Sequence, residues 1–86
     1  MIINFHKSFR KQASTLKPAQ KKRLKQALLL FTVEPHHVDL YNHPLTGDWK
    51  NFRSISFGGD WRAHYAVIDE NTVLFVAVGT HSQLYK

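Results

Sequence analysis

Apolar residues recur along the first third of the chain with two different spacings. Ile2-Ile3-Asn4-Phe5 is a short run that reads as a strand. From His6 onward, Phe5, Phe9, Ala13 and Leu16 return every three to four positions, the period of an amphipathic helix. Lys17-Pro18 ends that pattern, because proline disfavours helical geometry in the residue before it. Pro18 also suits the first turn of a second helix, predicted to run to about Val33. Its buried stripe is Leu24, Ala27, Leu28 and Phe31, with the lysines opposite, and the two helices form an αα-hairpin. Glu34 to Asp48 is polar, holds three histidines and two prolines, and reads as a loop. Three strands follow, around 51–57, 61–68 and 73–79. Gly58-Gly59 signals a two-residue hairpin, since both glycines tolerate positive φ, and Asp69-Glu70-Asn71-Thr72 forms the next turn. The predicted class is α+β: a short N-terminal strand and a helical hairpin packed on one face of a small antiparallel sheet. Residues 1–86 are expected to make a single domain.

The hairpin sets a register. With Gly58-Gly59 as the loop, Phe57 faces Asp60, Ile55 faces Arg62 and Arg53 faces His64. Cross-strand partners share a face. Phe52, Trp61, Ala63, Tyr65 and Val67 then form the core face, joined by Leu74, Val76 and Val78. The opposite, solvent-facing side carries Arg53, Arg62 and His64, with Ile55 and Phe57 between them. Two arginines on adjacent strands make a candidate phosphate site.

Composition narrows the function. A chain of 86 residues buries roughly 60 % of its unfolded surface, so a site is expected on the surface or in a shallow groove. There is no cysteine, which excludes a disulfide framework, a thiolate zinc site and a cysteine nucleophile. The longest apolar run, Ala27 to Phe31, is too short to span a bilayer, and the N-terminus lacks the regions of a signal peptide. A cytoplasmic location is expected. The net charge of +6 is unevenly placed. Residues 1–34 hold eight Lys and Arg, among them Lys21, Lys22 and Arg23, against Glu34 alone, so this segment is +7 and the remainder −1. A one-sided basic surface favours polyanions such as nucleic acid, or an acidic protein partner.

Candidate chemistry gathers at the end of the chain. In Gly79-Thr80-His81-Ser82-Gln83-Leu84-Tyr85 an imidazole and a phenol lie four positions apart. One helical turn would put them on the same side, and both side-chain types can give or take a proton at a reacting group. His36-His37 has no metal-ligand spacing, and no HExxH or Cys/His cluster exists, so neither a metal nor another cofactor is expected.

These motifs resemble a known family. Gly59-Asp60-Trp61-Arg62-Ala63-His64-Tyr65-Ala66-Val67, the following Asp-Glu-Asn turn and Val78-Gly79 are similar to the central hairpin of RelE/ParE-superfamily bacterial toxins. His43-Pro44-Leu45-Thr46-Gly47-Asp48-Trp49, Asp60-Trp61 and the Gly79–Tyr85 tail resemble more narrowly the YafQ-type mRNA interferases. The resemblance implies a RelE-like fold and the toxin of a type II toxin–antitoxin pair, which cleaves messenger RNA on the ribosome. It implies a cognate antitoxin, mRNA on the ribosome and ribosomal RNA as partners. It also implies site positions: His43 of the HPL motif, the Asp60-Trp61 pair, His81 of the GTH motif, and Tyr85 where an aromatic stands. Two positions depart from the YafQ pattern, Ser56 in place of a histidine and Ala77 in place of an arginine. Arg62 matches an arginine of RelE- and YoeB-like relatives, and Arg53 a strand lysine of RelE.

Metal-independent RNA cleavage needs a base for the 2′-hydroxyl, positive charge at the phosphate and an acid for the leaving 5′-oxygen. The residues expected in these roles are His43 as base, Arg62 helped by Arg53 as phosphate stabiliser, and His81 or Tyr85 as acid. Structural alternatives stand beside them. Asp60 also reads as a turn residue, Trp61 and Tyr85 as packing, Arg53 as a surface ion-pair former, and His64 as a surface residue of the sheet. ParE-like relatives share this fold and poison DNA gyrase, which leaves a non-enzymatic inhibitor, or a catalytically weakened toxin, as the alternative function.

Overall fold

The computed structural model describes residues 1–85. β1 spans Ile2–Phe5, and His6 then caps α1 (Lys7–Ser14) by accepting the Ser8 N–H on its ring nitrogen. Pro18 opens α2 (Pro18–Val33) at the first helical position, where its missing N–H costs nothing. The polar stretch after α2 is less irregular than expected. It contains a 3₁₀ turn at Val38–Leu40, the two-residue edge strand β2 (His43–Pro44) and a second 3₁₀ turn at Gly47–Trp49. β3 (Arg53–Ser56), β4 (Trp61–Asp69) and β5 (Thr72–Thr80) follow, and His81–Leu84 forms the single-turn helix α3. The sheet order is β1-β5-β4-β3-β2. β3 to β5 are antiparallel as expected, and β2 adds to them antiparallel; β1 lies at the far edge parallel to β5, the two being separated in the chain by both helices and the rest of the sheet.

The α1–α2 hairpin covers one sheet face. Phe9, Leu24, Ala27 and Phe31 bury against Ile55, Ala63, Tyr65, Val73, Phe75 and Val78. Phe75 is the centre of this core, with ring centroids of Phe9, Phe31 and Tyr65 at 5.7, 5.4 and 5.1 Å. Two polar ties lock α1 to β5: Ser8 Oγ donates to the Val76 carbonyl at 2.6 Å, and Gln12 Oε1 accepts the Val78 N–H at 2.9 Å.

The hairpin register differs from the expected one by a single residue. Ser56 faces Arg62, Ile55 faces Ala63, Ser54 faces His64 and Arg53 faces Tyr65. The loop has three residues, because the Trp61 N–H bonds the Gly58 carbonyl and Phe57 pairs with Trp61 rather than with Asp60. Gly58 and Gly59 both take positive φ, as their lack of a Cβ allows. A one-residue slip moves every side chain of a strand to the other face. Here it buries Ile55 and Phe57 under the helices, and their apolar burial explains why this register holds. It also places Phe52 and Arg53 differently from the expectation. Arg53 shares the helix-side face with Tyr65, and its Nε donates to Asn42 Oδ1 at 2.9 Å. The expected pairing of Arg53 with Arg62 on one surface is therefore not formed.

β5 adds a second departure. A β-bulge between the His64 and Tyr65 pairings leaves Val76 without a cross-strand partner. The extra residue shifts the alternation, so Val73 and Phe75 precede it on the core face and Val78 follows. Leu74 and Val76, expected in the core, are only half-buried.

Candidate active site

Away from the helices the sheet presents two cross-strand rows. His43, Ser54, His64 and Ala77 lie side by side across β2, β3, β4 and β5. Ser56, Arg62 and Gly79 form the next row. Adjacent strands are ~4.8 Å apart, so His43 stands ~10 Å from His64 along its row.

His43 is held at the sheet edge by its own loop. Tyr41 adopts a left-handed φ of 47° at the end of the first 3₁₀ turn, and its carbonyl lies 2.8 Å from His43 Nδ1. A carbonyl only accepts, so Nδ1 carries the hydrogen and Nε2 of the neutral ring keeps its lone pair. The Tyr41 ring leans on the imidazole at 4.6 Å.

Arg62 is fixed by its turn. Nη1 donates to the carbonyls of Gly59 and Trp61 at 2.8 and 2.9 Å and to Ser56 Oγ at 3.1 Å. The remaining guanidinium nitrogens make no hydrogen bond among the described residues. Ser56, one of the two departures from the family pattern, thus serves as a partner of Arg62.

The tail folds over this face as one helical turn. A capping box starts α3: Thr80 Oγ1 accepts the Gln83 N–H, and Gln83 Oε1 accepts the Thr80 N–H. The His81 N–H donates to the Asp60 carbonyl at 2.9 Å, which ties the tail to the hairpin loop. His81 and Tyr85 come together as their spacing predicts, with ring centroids 4.4 Å apart. Trp49, from the second 3₁₀ turn, donates its Nε1–H to the Leu84 carbonyl at 3.0 Å and holds the other end.

His64 lies beneath these groups and is fully buried, contrary to its expected place on the surface. Trp49 meets its ring at 4.4 Å and Tyr85 at 5.5 Å, and Tyr85 Oη is 3.5 Å from Nε2. Burial, reinforced by the charges of His43, Arg62 and His81, lowers its pKa from 6.5 to about 4. Burial also raises the pKa of Tyr85, with Arg62 opposing the rise. Both groups are neutral at pH 7.

Trp61 lies on the helix-side face, against Phe57 at 6.0 Å, and not beside Arg62. The Asp60 side chain is exposed in the turn, while its carbonyl anchors the tail. Lys21 and Lys22 are exposed on α2; Arg23 reaches toward Gly58. Sequence reasoning missed His64 and Trp49 as members of the site. The residues that enclose His64 come from segments distant in sequence, so no local spacing marks it.

A pH dependence of stability follows. The unfolded chain binds a proton on His64 near pH 6.5, whereas the folded chain resists until about pH 4. The contribution of His64 to stability is therefore complete above pH 6.5 and is lost as pH falls through that window, by roughly 2–3 kcal/mol. Urea midpoints measured from pH 8 to pH 4 are expected to fall, and less steeply in His64→Phe. Equal slopes for both proteins would contradict this.

Residues 1–86 match the family described as bacterial toxin of type II toxin–antitoxin system, YafQ. The chain is 25 % identical to a histidine-to-glutamine mutant of YafQ from E. coli, over 98 % of this chain and 97 % of that one, with a TM-score of 0.80. It is 26 % identical to a chain of the E. coli DinJ–YafQ toxin–antitoxin complex, over 98 % and 96 %, with a TM-score of 0.76. A metal-bound toxin from Helicobacter pylori is 27 % identical, over 99 % of both chains, with a TM-score of 0.74. No curated protein matches the chain by sequence.

Proposed function

The chain belongs to the YafQ family of type II toxins, and from that membership we propose that it is an endoribonuclease cutting messenger RNA on the ribosome. The observation that carries this reading is that the face of the sheet away from the helices carries His43 and Arg62 in adjacent cross-strand rows, with the His81–Tyr85 tail laid against the buried His64 between them. His43 Nε2 takes the proton of the 2′-hydroxyl. The 2′-oxygen bonds to phosphorus as the bond to the 5′-oxygen breaks, and Arg62 meets the charge on the phosphate. His81 gives its proton to the departing 5′-oxygen. Tyr85 is the weaker acid of the two candidates, because burial raises its pKa; it serves as the surface against which the His81 ring is set. The products are a 2′,3′-cyclic phosphate and a 5′-hydroxyl.

The reading assigns the phosphate charge to Arg62, whose guanidinium is held by the carbonyls of Gly59 and Trp61. Asp60 enters as an anchor of the tail through its carbonyl. Arg53 and Trp61, on the other face, are left to contacts with the flanking RNA. The partners are a cognate antitoxin, as in the DinJ–YafQ complex, and the mRNA-loaded ribosome. No helix among the described residues is long and apolar enough to cross a membrane, and the reading places the protein with ribosomes in the cytoplasm.

Inducing the chain in bacteria and mapping message 5′ ends tests the proposal. Cuts in register with codons are expected. DNA damage without cuts would favour gyrase inhibition, and neither effect would mark a weakened toxin. Lys21, Lys22 and Arg23 are assigned to ribosomal RNA. Their replacement by glutamine is expected to reduce the log–log salt slope of ribosome binding by about 2, at ~0.7–0.9 for each lost phosphate contact. An unchanged slope would remove them from the interface.

A further inference from the structure

His64 is not used by the chemistry above, yet it is the most enclosed polar group in the site. Its Nδ1 and the hydroxyl of Ser54 are the two buried side-chain polar atoms without a hydrogen-bond partner among the described residues. They belong to residues directly opposite one another on β3 and β4. Buried polar atoms are seldom left unpaired, and two facing orphans can satisfy each other by a small side-chain rotation or through one shared water. On the other side of the ring, Nε2 meets Tyr85 Oη at 3.5 Å.

We propose that His64 is a positioning residue, linking Ser54 to Tyr85 and thereby setting the orientation of the His81 proton donor. The phenol O–H donates to Nε2, and Nδ1–H donates to Ser54 Oγ, directly or through a water. This direction pairs an acidic donor with a basic nitrogen and requires both groups to be neutral. Their surroundings supply that state. The groups next to His64 are Ser54 on β3, Ala77 on β5, Trp49 in the 3₁₀ turn and Tyr85 in the tail, and the titratable and charged groups that act on it from further off are His43, Arg62 and His81. None of them is an acid that would favour the imidazolium. Ala77 contributes by its small size: it stands directly opposite His64, where the family pattern has an arginine. The link ends at the His81 ring, which rests on Tyr85 at 4.4 Å. With the Trp49 bond to the Leu84 carbonyl, the tail is held at both ends of its single turn.

The inference rests on the proposed nuclease function, so its test includes a readout that does not depend on cleavage. Long-range ¹H–¹⁵N NMR of the intact wild-type protein is expected to show His64 neutral from pH 8 to pH 5, with hydrogen on Nδ1 and a bare Nε2. A free neutral histidine favours the opposite tautomer. Hydrogen on Nε2, or titration near pH 6.5, would overturn the link whether or not the protein cuts RNA. In cleavage assays, His64→Phe is expected to lower kcat about tenfold with KM little changed, since misplacing a reacting group by about 1 Å costs up to 10²-fold. His64→Gln, whose amide oxygen can accept the phenol, is expected to recover most of that loss. Tyr85→Phe should cost as much as His64→Phe, and the double variant no more than either. Additive losses, or no recovery by glutamine, would overturn the proposal. If the wild type leaves messages intact, the nuclease reading fails and the NMR result still decides the link.

Discussion

Arg62→Ala is expected to lower the rate of message cleavage by about 10²–10³-fold, the usual cost of removing one preorganised group from a developing charge. The expectation rests on how Arg62 is held. Three hydrogen bonds donated by Nη1 fix the guanidinium against Gly59, Trp61 and Ser56, so its orientation is set before substrate arrives. Neither of the two sheet positions that could supply a second guanidinium takes over. Arg53 belongs to the opposite face, and residue 77 is an alanine. Arg62→Lys keeps the charge but not the fork, and is expected to recover only part of the rate. Among the described residues Arg62 makes no ion pair, with the exposed Asp60 carboxylate or any other, that its loss would break. Thermal unfolding of the alanine variant should therefore stay near the wild type. Full toxicity of a folded Arg62→Ala protein would remove Arg62 from the mechanism.

Phe75→Ala is expected to cost about 3–5 kcal/mol of folding stability, as large-to-small changes of buried aromatics do. Phe75 is fully buried and touches the rings of Phe5, Phe9, Phe31 and Tyr65, so its removal opens a cavity where both helices, β1 and β4 meet. Domains of this size have roughly 5–15 kcal/mol in all, so the variant would be near the limit of folding. Urea denaturation gives the value directly. A loss below about 1 kcal/mol would mean that the core closes around the gap without cost, against the measured behaviour of such sites.

The contrast between these residues shows what sequence can reveal. Phe9, Leu24 and Phe31 sit on helical periods, and a period survives any detail of tertiary packing. Pro18 marks the second helix by its own covalent geometry. The hairpin register is different, because it hangs on one residue of turn length. Gly58-Gly59 reads as a complete loop, yet Asp60 joins it, and burial of Ile55 and Phe57 decides the matter. The bulge at Val76 leaves no mark in an unbroken apolar run. β2 is too short for a period, although its residue His43 is legible through the motif around it.

The site divides in the same way. Of the proposed site, His43, Arg62, His81 and Tyr85 are legible because proton transfer and phosphate binding demand particular side chains, and the family motifs mark their places. Arg53 carries the same charge as Arg62 and is sent to the other face by the register. His64 looks like one more polar residue on an alternating strand. Its burial is produced by Trp49 and Tyr85, fifteen residues before it and twenty-one after it in the chain.

The most direct test uses purified ribosomes carrying a defined message, incubated with the protein, and identifies the chemical ends of the fragments. The expected result is an upstream fragment ending in a 2′,3′-cyclic phosphate and a downstream fragment beginning with a 5′-hydroxyl, with neither formed by His81→Ala. An intact message, or fragments beginning with a 5′-phosphate, would contradict cleavage by His43, Arg62 and His81.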